Sequence, residues 1–203
     1  MHDGAPAARR LARFWLHRNR HPVQAMNSLH EYLTAEDAWV RRARLEDLPD
    51  IAKIHRLAFR AAAPQIPVCH TPAEDLNFYS TAVYPHADVW LAELGGMVVG
   101  FIAFRAGWVD HLYIHPDCQR RGLGTRLLAL AKRASTNVHL WTFQCNFIAC
   151  ALYEKQGFRR ERETDGAGNE EKQPDALYVW ENPSAGPGRS NPRLDVNGRH
   201  GAG

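Results

Sequence analysis

The sequence predicts an α+β domain, a central sheet with helices packed on it. Two observations lead there. Residues 88 to 114 read as three consecutive strands, the first two joined through Gly95-Gly96, a two-residue hairpin signal. Around that meander lie segments whose apolar residues recur at helical spacing and whose ends carry capping residues. In chain order the elements read β-α-α-β-β-β-α-β-α-β-β, with no internal repeat.

Each element has its own signal. Trp39 to Ala43 is a short strand. A helix starts at Glu46 or Asp47, tolerates Pro49 in its first turn, and carries Ile51, Ile54, Leu57 and Ala58 on its apolar side. The prolines of "AAAPQIPVCHTP" make a loop, and "AEDLNFYSTAVY" is a second helix. In the meander, Val89, Leu91 and Glu93 alternate with Trp90 and Ala92; Met97 to Phe104 returns, and Trp108 to Ile114 is the third strand. Residues 122 to 135 form a helix with Leu127, Leu128, Leu130 and Ala131 on its apolar side. "VHLWTF" is a strand. Asn146 caps the helix "FIACALYEKQ", which Gly157 ends. "FRRERET" and "ALYVWE" pair across an acidic loop.

The 203 residues suffice for one domain with a real core, expected at 38–182. Residues 1–37 read as a basic N-terminal extension, either disordered or an over-called start, since Met26 lies within it. The stretch 183–203 holds five glycines and three prolines and is expected to be disordered. The longest strongly apolar run, Val98 to Phe104, is far short of the ~18–20 residues a membrane helix needs, and no signal-peptide core is apparent. Cys69, Cys118, Cys145 and Cys150 form no Cys-x-x-Cys pair, so no metal site is expected, and reduced thiols in a cytoplasmic protein are. Net charge of +3 decides little. Its distribution says more: residues 1 to 25 hold five arginines and one acid, and residues 161 to 175 hold six acids.

The chemistry starts at "HPDCQRRGLGTRLL", residues 115 to 128. A Walker loop ends in Gly-Lys-Ser/Thr, but here Gly124 is followed by Thr125 and Arg126. A dinucleotide turn needs a third glycine and an acid roughly 20 residues on; this chain has two glycines, and its next strand carries Trp141 and Thr142. A pyrophosphate cradle remains, with the N–H groups of residues 120 to 125 and the positive end of a helix facing one anion, and with Arg120 and Arg121 adding charge. A plain strand–turn–helix junction with a basic tip is the alternative.

The flanks carry more. Leu112 to Gly124, with Gln119-Arg120-Arg121-Gly122-Leu123-Gly124 after a hydrophobic strand, resembles the acetyl-CoA motif of the GNAT superfamily of N-acetyltransferases, Gln/Arg-x-x-Gly-x-Gly/Ala. Asn146 to Phe158 is similar to its second motif, Asn-x-x-Ala-x-x-Leu-Tyr-Glu-x-x-Gly-Phe. The resemblance covers residues 39 to 182. It implies a mixed, mainly antiparallel central sheet with helices on both faces, and transfer of an acetyl group from acetyl-CoA to an amine without a metal. It also implies roles. Gln119, Arg120, Arg121, Gly122, Leu123, Gly124 and Thr125 hold the pyrophosphate; Leu112, Tyr113 and Ile114 pair with the pantetheine arm, the Leu112 N–H meeting the thioester oxygen. Asn146 contacts the cofactor or only caps its helix. Tyr153 protonates the departing sulfur or is only a core aromatic.

The base and the acceptor stay open. At the two strand positions where family members place a glutamate, this chain has Trp108 and Trp141. Asp110 is the nearest substitute; strand alternation sets it on one face with Trp108 and Leu112, and turns His111 away. Trp108, Asp110 and Trp141 are thus the candidate acceptor-binding residues, and aromatic faces with a carboxylate suit a cationic amine, small-molecule or peptide. The resemblance also implies that the loop 64–75 shapes the acceptor cleft; the acids of 164–175 either attract a cationic acceptor or only solvate a long loop. Two alternatives are weighed against the enzyme: a non-catalytic acyl-CoA-binding module, and a nucleic-acid-associated protein using the basic N-terminus, the less favoured. A membrane partner is not expected; a homodimer is compatible with the sequence.

Overall fold

The computed structural model describes residues 37–184. The expectations for the basic extension and for residues 185–203 of the tail therefore lie outside the described residues. The elements are β1 (Trp39–Arg42), α1 (Leu48–Ala62), α2 (Pro72–Phe78), β2 (Asp88–Leu94), β3 (Met97–Arg105), β4 (Trp108–Ile114), α3 (Leu123–Ala134), β5 (Asn137–Phe143), α4 (Phe147–Lys155), β6 (Arg159–Thr164) and β7 (Asp175–Glu181). The strands form one sheet in the order β1-β2-β3-β4-β5-β7-β6, antiparallel everywhere except between β4 and β5. The expected element order and sheet type are both realised. No helix among the described residues is long and apolar enough to cross a membrane.

Helices cover both faces. Leu123, Leu127, Leu128 and Ala131 of α3 pack on Ile102, Val109 and Leu140. On the other face Ile51 and Ile54 of α1, with Tyr79, pack on Leu91, Phe101 and Ala103. The hairpin glycines Gly95 and Gly96 have φ of 59° and 84°, as a two-residue turn with both central residues left-handed demands. Arg41 ties β1, β2 and the start of α1 together, its guanidinium donating to Glu93 at 2.6 Å and to both oxygens of Asp47 at 2.7 Å. That guanidinium, with the Arg44 N–H, holds the Asp47 carboxyl below the usual carboxylate range.

Two helix expectations are corrected. Leu57 is 36% exposed, because the buried stripe of α1 runs through Ile51, Ile54, His55 and Ala58, and His55 takes the place expected for leucine. The second helix is not one α-helix to Tyr84: α2, capped by Thr71 and Glu74, ends at Phe78 and continues as a π-turn over Tyr79–Val83.

A bulge in β4 changes which side chains share a face. Ala103 lies opposite His111 and Phe104 opposite Val109, so Asp110 is the extra residue. Strict alternation fails across it. Val109, opposite Phe104, faces α3; Trp108 is turned away from Leu112 and stacks on His139 of β5, ring centroids 5.0 Å apart. The expectation that Trp108, Asp110 and Leu112 share one face is therefore overturned.

Candidate active site

β4 and β5 run parallel but pair only at their beginnings, Trp108 beside His139. β5 and β7, by contrast, pair from Asn137 opposite Glu181 to Phe143 opposite Asp175. The strands part after the Trp108–His139 pair, where β4 enters the bulge at Asp110, the kind of feature that bends a strand and raises its twist. A cleft of about 1110 Å³ follows the opening, walled by β4, β5 and the first turns of α3 and α4.

The backbone along one half of this cleft is oriented by simple alternation. The His115 N–H donates to the Val99 carbonyl on β3 at 2.8 Å. Alternate residues of a strand aim their N–H and C=O groups at the same edge, so Leu112 and Ile114 aim theirs away from β3, into the gap. The Gln119 side chain donates to the Ile114 carbonyl at 3.1 Å and so ties the strand end to the turn. In that turn Arg120 and Gly122 have φ of 60° and 84°, both left-handed, which curls the backbone into a concavity lined by N–H groups. The first α3 bond runs from the Arg126 N–H to the Gly122 carbonyl at 3.1 Å, so the N–H groups of Leu123, Gly124 and Thr125 have no acceptor inside the helix. A Cβ on Gly124 would lie 3.1 Å from the Leu152 methyl Cδ2 and would narrow the space between α3 and α4.

Leu112, Tyr113, Ile114, Gln119, Arg120, Gly122, Leu123, Gly124, Thr125, Asn146 and Tyr153, singled out along 42 residues of sequence, all line this one cleft. Arg121 does not; it stands at the turn outside the wall. The Leu123 side chain is buried in the core, leaving its backbone to the turn. Asn146 caps α4, its Oδ1 accepting from the Ala149 N–H at 3.2 Å, while also lining the cleft. Tyr153 packs on Phe158 and Tyr178, and burial raises its phenol well above the ordinary value, which keeps it protonated.

The other half of the cleft fits the expectations less well. Trp141 is on the wall, with the Arg162 guanidinium 5.1 Å over its ring. Trp108 is not on the wall, for the bulge has turned it onto His139. Asp110 reaches the wall, but its carboxylate is engaged by Arg105, which donates through Nε at 2.9 Å and Nη2 at 3.1 Å. The 64–75 loop meets the β6–β7 loop at this half: His70, ahead of α2, lies 3.1 Å from Glu170. Arg56 of α1 anchors the first loop through Asp75 and the His70 carbonyl.

Sequence reasoning missed the polar groups beneath these loops. Both ring nitrogens of His55, Nδ1 of His111, the Tyr79 hydroxyl and Oε2 of Glu171 are buried without a hydrogen-bond partner. The His55 ring lies 4.8 Å from that of Tyr113 and 6.5 Å from that of His111. Burial lowers the imidazoles to about 4 for His55 and about 3 for His111, so both are neutral near pH 7. One sequence signal existed: a histidine on the apolar stripe of α1. Among the described residues, no group of three or more His, Cys, Asp or Glu side chains could hold a metal ion.

Comparison with known proteins agrees with this geometry. The model of the acetyltransferase (GNAT) family matches residues 48–158, more than half of the 203. An uncharacterized N-acetyltransferase of Archaeoglobus fulgidus is 26% identical over 149 residues, 64% of this chain and 99% of the relative. An N-alpha-acetyltransferase of Sulfurisphaera tokodaii is 30% identical over 142 residues, 59% of this chain and 79% of the relative. Among solved structures, the PaiA N-acetyltransferase of Thermoplasma acidophilum, in complex with coenzyme A, superposes with a TM-score of 0.55 at 19% identity, covering 71% of this chain and 98% of that one. With the family model spanning α1 to the end of α4 and the sheet opened between its two parallel strands, the chain belongs to the acetyltransferase (GNAT) family and is an N-acetyltransferase.

Proposed function

We propose that the chain transfers an acetyl group from acetyl-CoA to a primary amine, of a small molecule or of a peptide, by direct attack of the amine on the thioester. The opening between β4 and β5 beside the glycine turn of α3 carries this reading. It offers what an amide-containing arm ending in a pyrophosphate requires: a free strand edge, then a curl of N–H groups at the positive end of a helix. The name of the Sulfurisphaera relative makes a peptide α-amine one acceptor worth testing. With a pKa near 7.7–8.0, an α-amine is partly unprotonated at neutral pH.

Bound acetyl-CoA supplies an electrophilic carbonyl and a thiolate leaving group. The chain supplies the rest. The backbone of Leu123, Gly124 and Thr125, with the charge of Arg120, binds the pyrophosphate. The edge of β4 orients the arm. The Leu112 N–H donates to the thioester oxygen as it gains negative charge, an interaction that strengthens toward the transition state. Tyr153, held protonated by burial, donates to the departing sulfur. Thiol release from acetyl-CoA, followed across small amines and short peptides, tests the reading. Amine-dependent release is expected. Tight binding of acetyl-CoA with no turnover on any amine would favour a non-catalytic binding module instead.

A further inference from the structure

The geometry points to Glu171 as the carboxylate that receives the acceptor's ammonium group and takes its first proton. This rests on the acetyl-transfer reading above. Trp108 and Trp141 on the strands supply no carboxylate. The other carboxylates around the acceptor half are engaged. Asp110 is held by Arg105, Asp75 by Arg56, and Glu170 by His70. Asp175 accepts from Thr164 Oγ1 and from Asn169 Nδ2. Glu171 differs: its Oε2 is buried and has no hydrogen-bond partner.

Its position suits the role. Glu171 lines both the large cleft and the small chamber beside it that His55, Arg56 and His70 help to form. The β6–β7 loop that presents it is braced. Asn169 donates to the Gln173 carbonyl at 2.7 Å and accepts from the Gln173 N–H at 3.1 Å. Gly166, at φ 80°, packs so closely on the Gln173 backbone that a Cβ there would collide at 2.1 Å. The loop is pinned to the end of β5 by Gln144, whose side chain donates to the Thr164 and Asp175 carbonyls at 3.0 Å.

A second, independent observation points to a ligand bearing N–H donors. His111 is 7% exposed, lines the same half of the cleft, and leaves Nδ1 without a partner. With its proton on Nε2, a neutral imidazole presents Nδ1 as an acceptor, as a carboxylate oxygen is, and an ammonium group brings three donors. The charges facing Glu171 are mixed. Burial, the largest influence, raises the carboxyl above its ordinary value; Glu170 and Asp175 act with it, while the residue's own backbone N–H and His70 act against it. That moves it toward the amine it would deprotonate.

The step balances as follows. The ammonium gives one proton to Glu171, which passes it to water. The neutral nitrogen then attacks the thioester carbon, a C–N bond forms, and the C–S bond breaks. The nitrogen loses its second proton as sulfur gains one from Tyr153, and that nitrogen proton restores the phenol. Amide and free thiol leave, and one proton per turnover reaches solvent.

The test uses the full chain. Thiol release is measured from pH 6 to 9 for the wild type, Glu171→Gln and Glu170→Gln, with the best amine from a panel of simple alkylamines and N-terminal peptides. Acetyl-CoA affinity is measured by calorimetry on the same samples. Glu171→Gln is expected to lower kcat/KM by about 100-fold or more at the acid end of the range, to leave a rate that climbs with pH as free amine becomes available, and to leave acetyl-CoA affinity unchanged. Glu170→Gln is expected to stay within about threefold of wild type across the range. Glu171→Gln within about threefold of wild type at every pH overturns the assignment. So does a wild-type chain that binds acetyl-CoA yet acetylates no amine in the panel. Failure of the wild type to bind acetyl-CoA is the separate outcome that removes the donor reading itself.

Discussion

The two halves of the cleft are built from different materials. The donor half is mostly main chain: the outer edge of β4, two left-handed residues and the first N–H groups of α3. Its parts lie between residues 112 and 125, with α4 closing the far side. The acceptor half is mostly side chain. His111 of β4 and Glu171 of the β6–β7 loop line it, His55 and His70 line the small chamber beside it, and only folding brings these four elements together. A backbone site tolerates much sequence change but cannot tolerate bulk. A side-chain site keeps its scaffold and changes its ligand.

The comparison can be broken first at Gly124. Its missing Cβ leaves the space beside Leu152, so Gly124→Val should weaken acetyl-CoA binding by about 100-fold, the upper end of an overpacking cost. The circular dichroism spectrum should remain native. Calorimetric titration checks this, and an unchanged Kd would mean that the donor lies elsewhere. Next, Tyr153→Phe keeps the ring packing on Phe158 and Tyr178 and removes only the hydroxyl. It should lower kcat roughly 10- to 100-fold, the worth of a hydrogen bond to a developing charge, with acetyl-CoA affinity unchanged.

The acceptor half should also announce itself in acid. His55 and His111 titrate near 4 and 3 when folded, below the ordinary 6.5 of an unfolded histidine. The unfolded chain therefore binds more protons below pH 6.5. Folding stability is undiminished above that value and falls as pH drops toward the folded values, by roughly 1.4 kcal/mol per pH unit for each imidazole. His139, also lowered by burial, acts in the same direction. Urea melts at pH 7 and pH 5 should show the loss, and His55→Phe with His111→Phe should remove most of it. A flat profile for the wild type would contradict the burial of these rings. The smallest effect is expected at Asp110. Because Arg105 already holds its carboxylate, Asp110→Asn should change kcat/KM by no more than about threefold.

How much of this was legible follows from the same contrast. Strand and helix periods, Gly95-Gly96 and Asn146 act over a few residues, and the elements and their order along the chain were readable from them. The donor half was nearly as readable, because Gln119 to Thr125 is one short segment whose glycines have local reasons: the positive φ of Gly122 and the close approach at Gly124. Arg121 was the exception, since a turn that curls N–H groups inward leaves some of its side chains outside. The acceptor half depended on counting along β4, and one bulge residue at Asp110 shifted that count and sent Trp108 to the other face. Glu171 was one of six acids in its stretch. Its buried, unpartnered Oε2 singles it out only once the loop is folded and braced by Asn169 and Gln144, and those contacts span the loop and the sheet edge.

Amide hydrogen exchange with and without acetyl-CoA tests the central claim most directly. If the main chain of β4 and α3 holds the donor, exchange at Leu112, Leu123, Gly124 and Thr125 should slow by about tenfold or more on binding, while the 165–174 loop is little changed. Protection confined to that loop, or binding that leaves these four amides untouched, would contradict it.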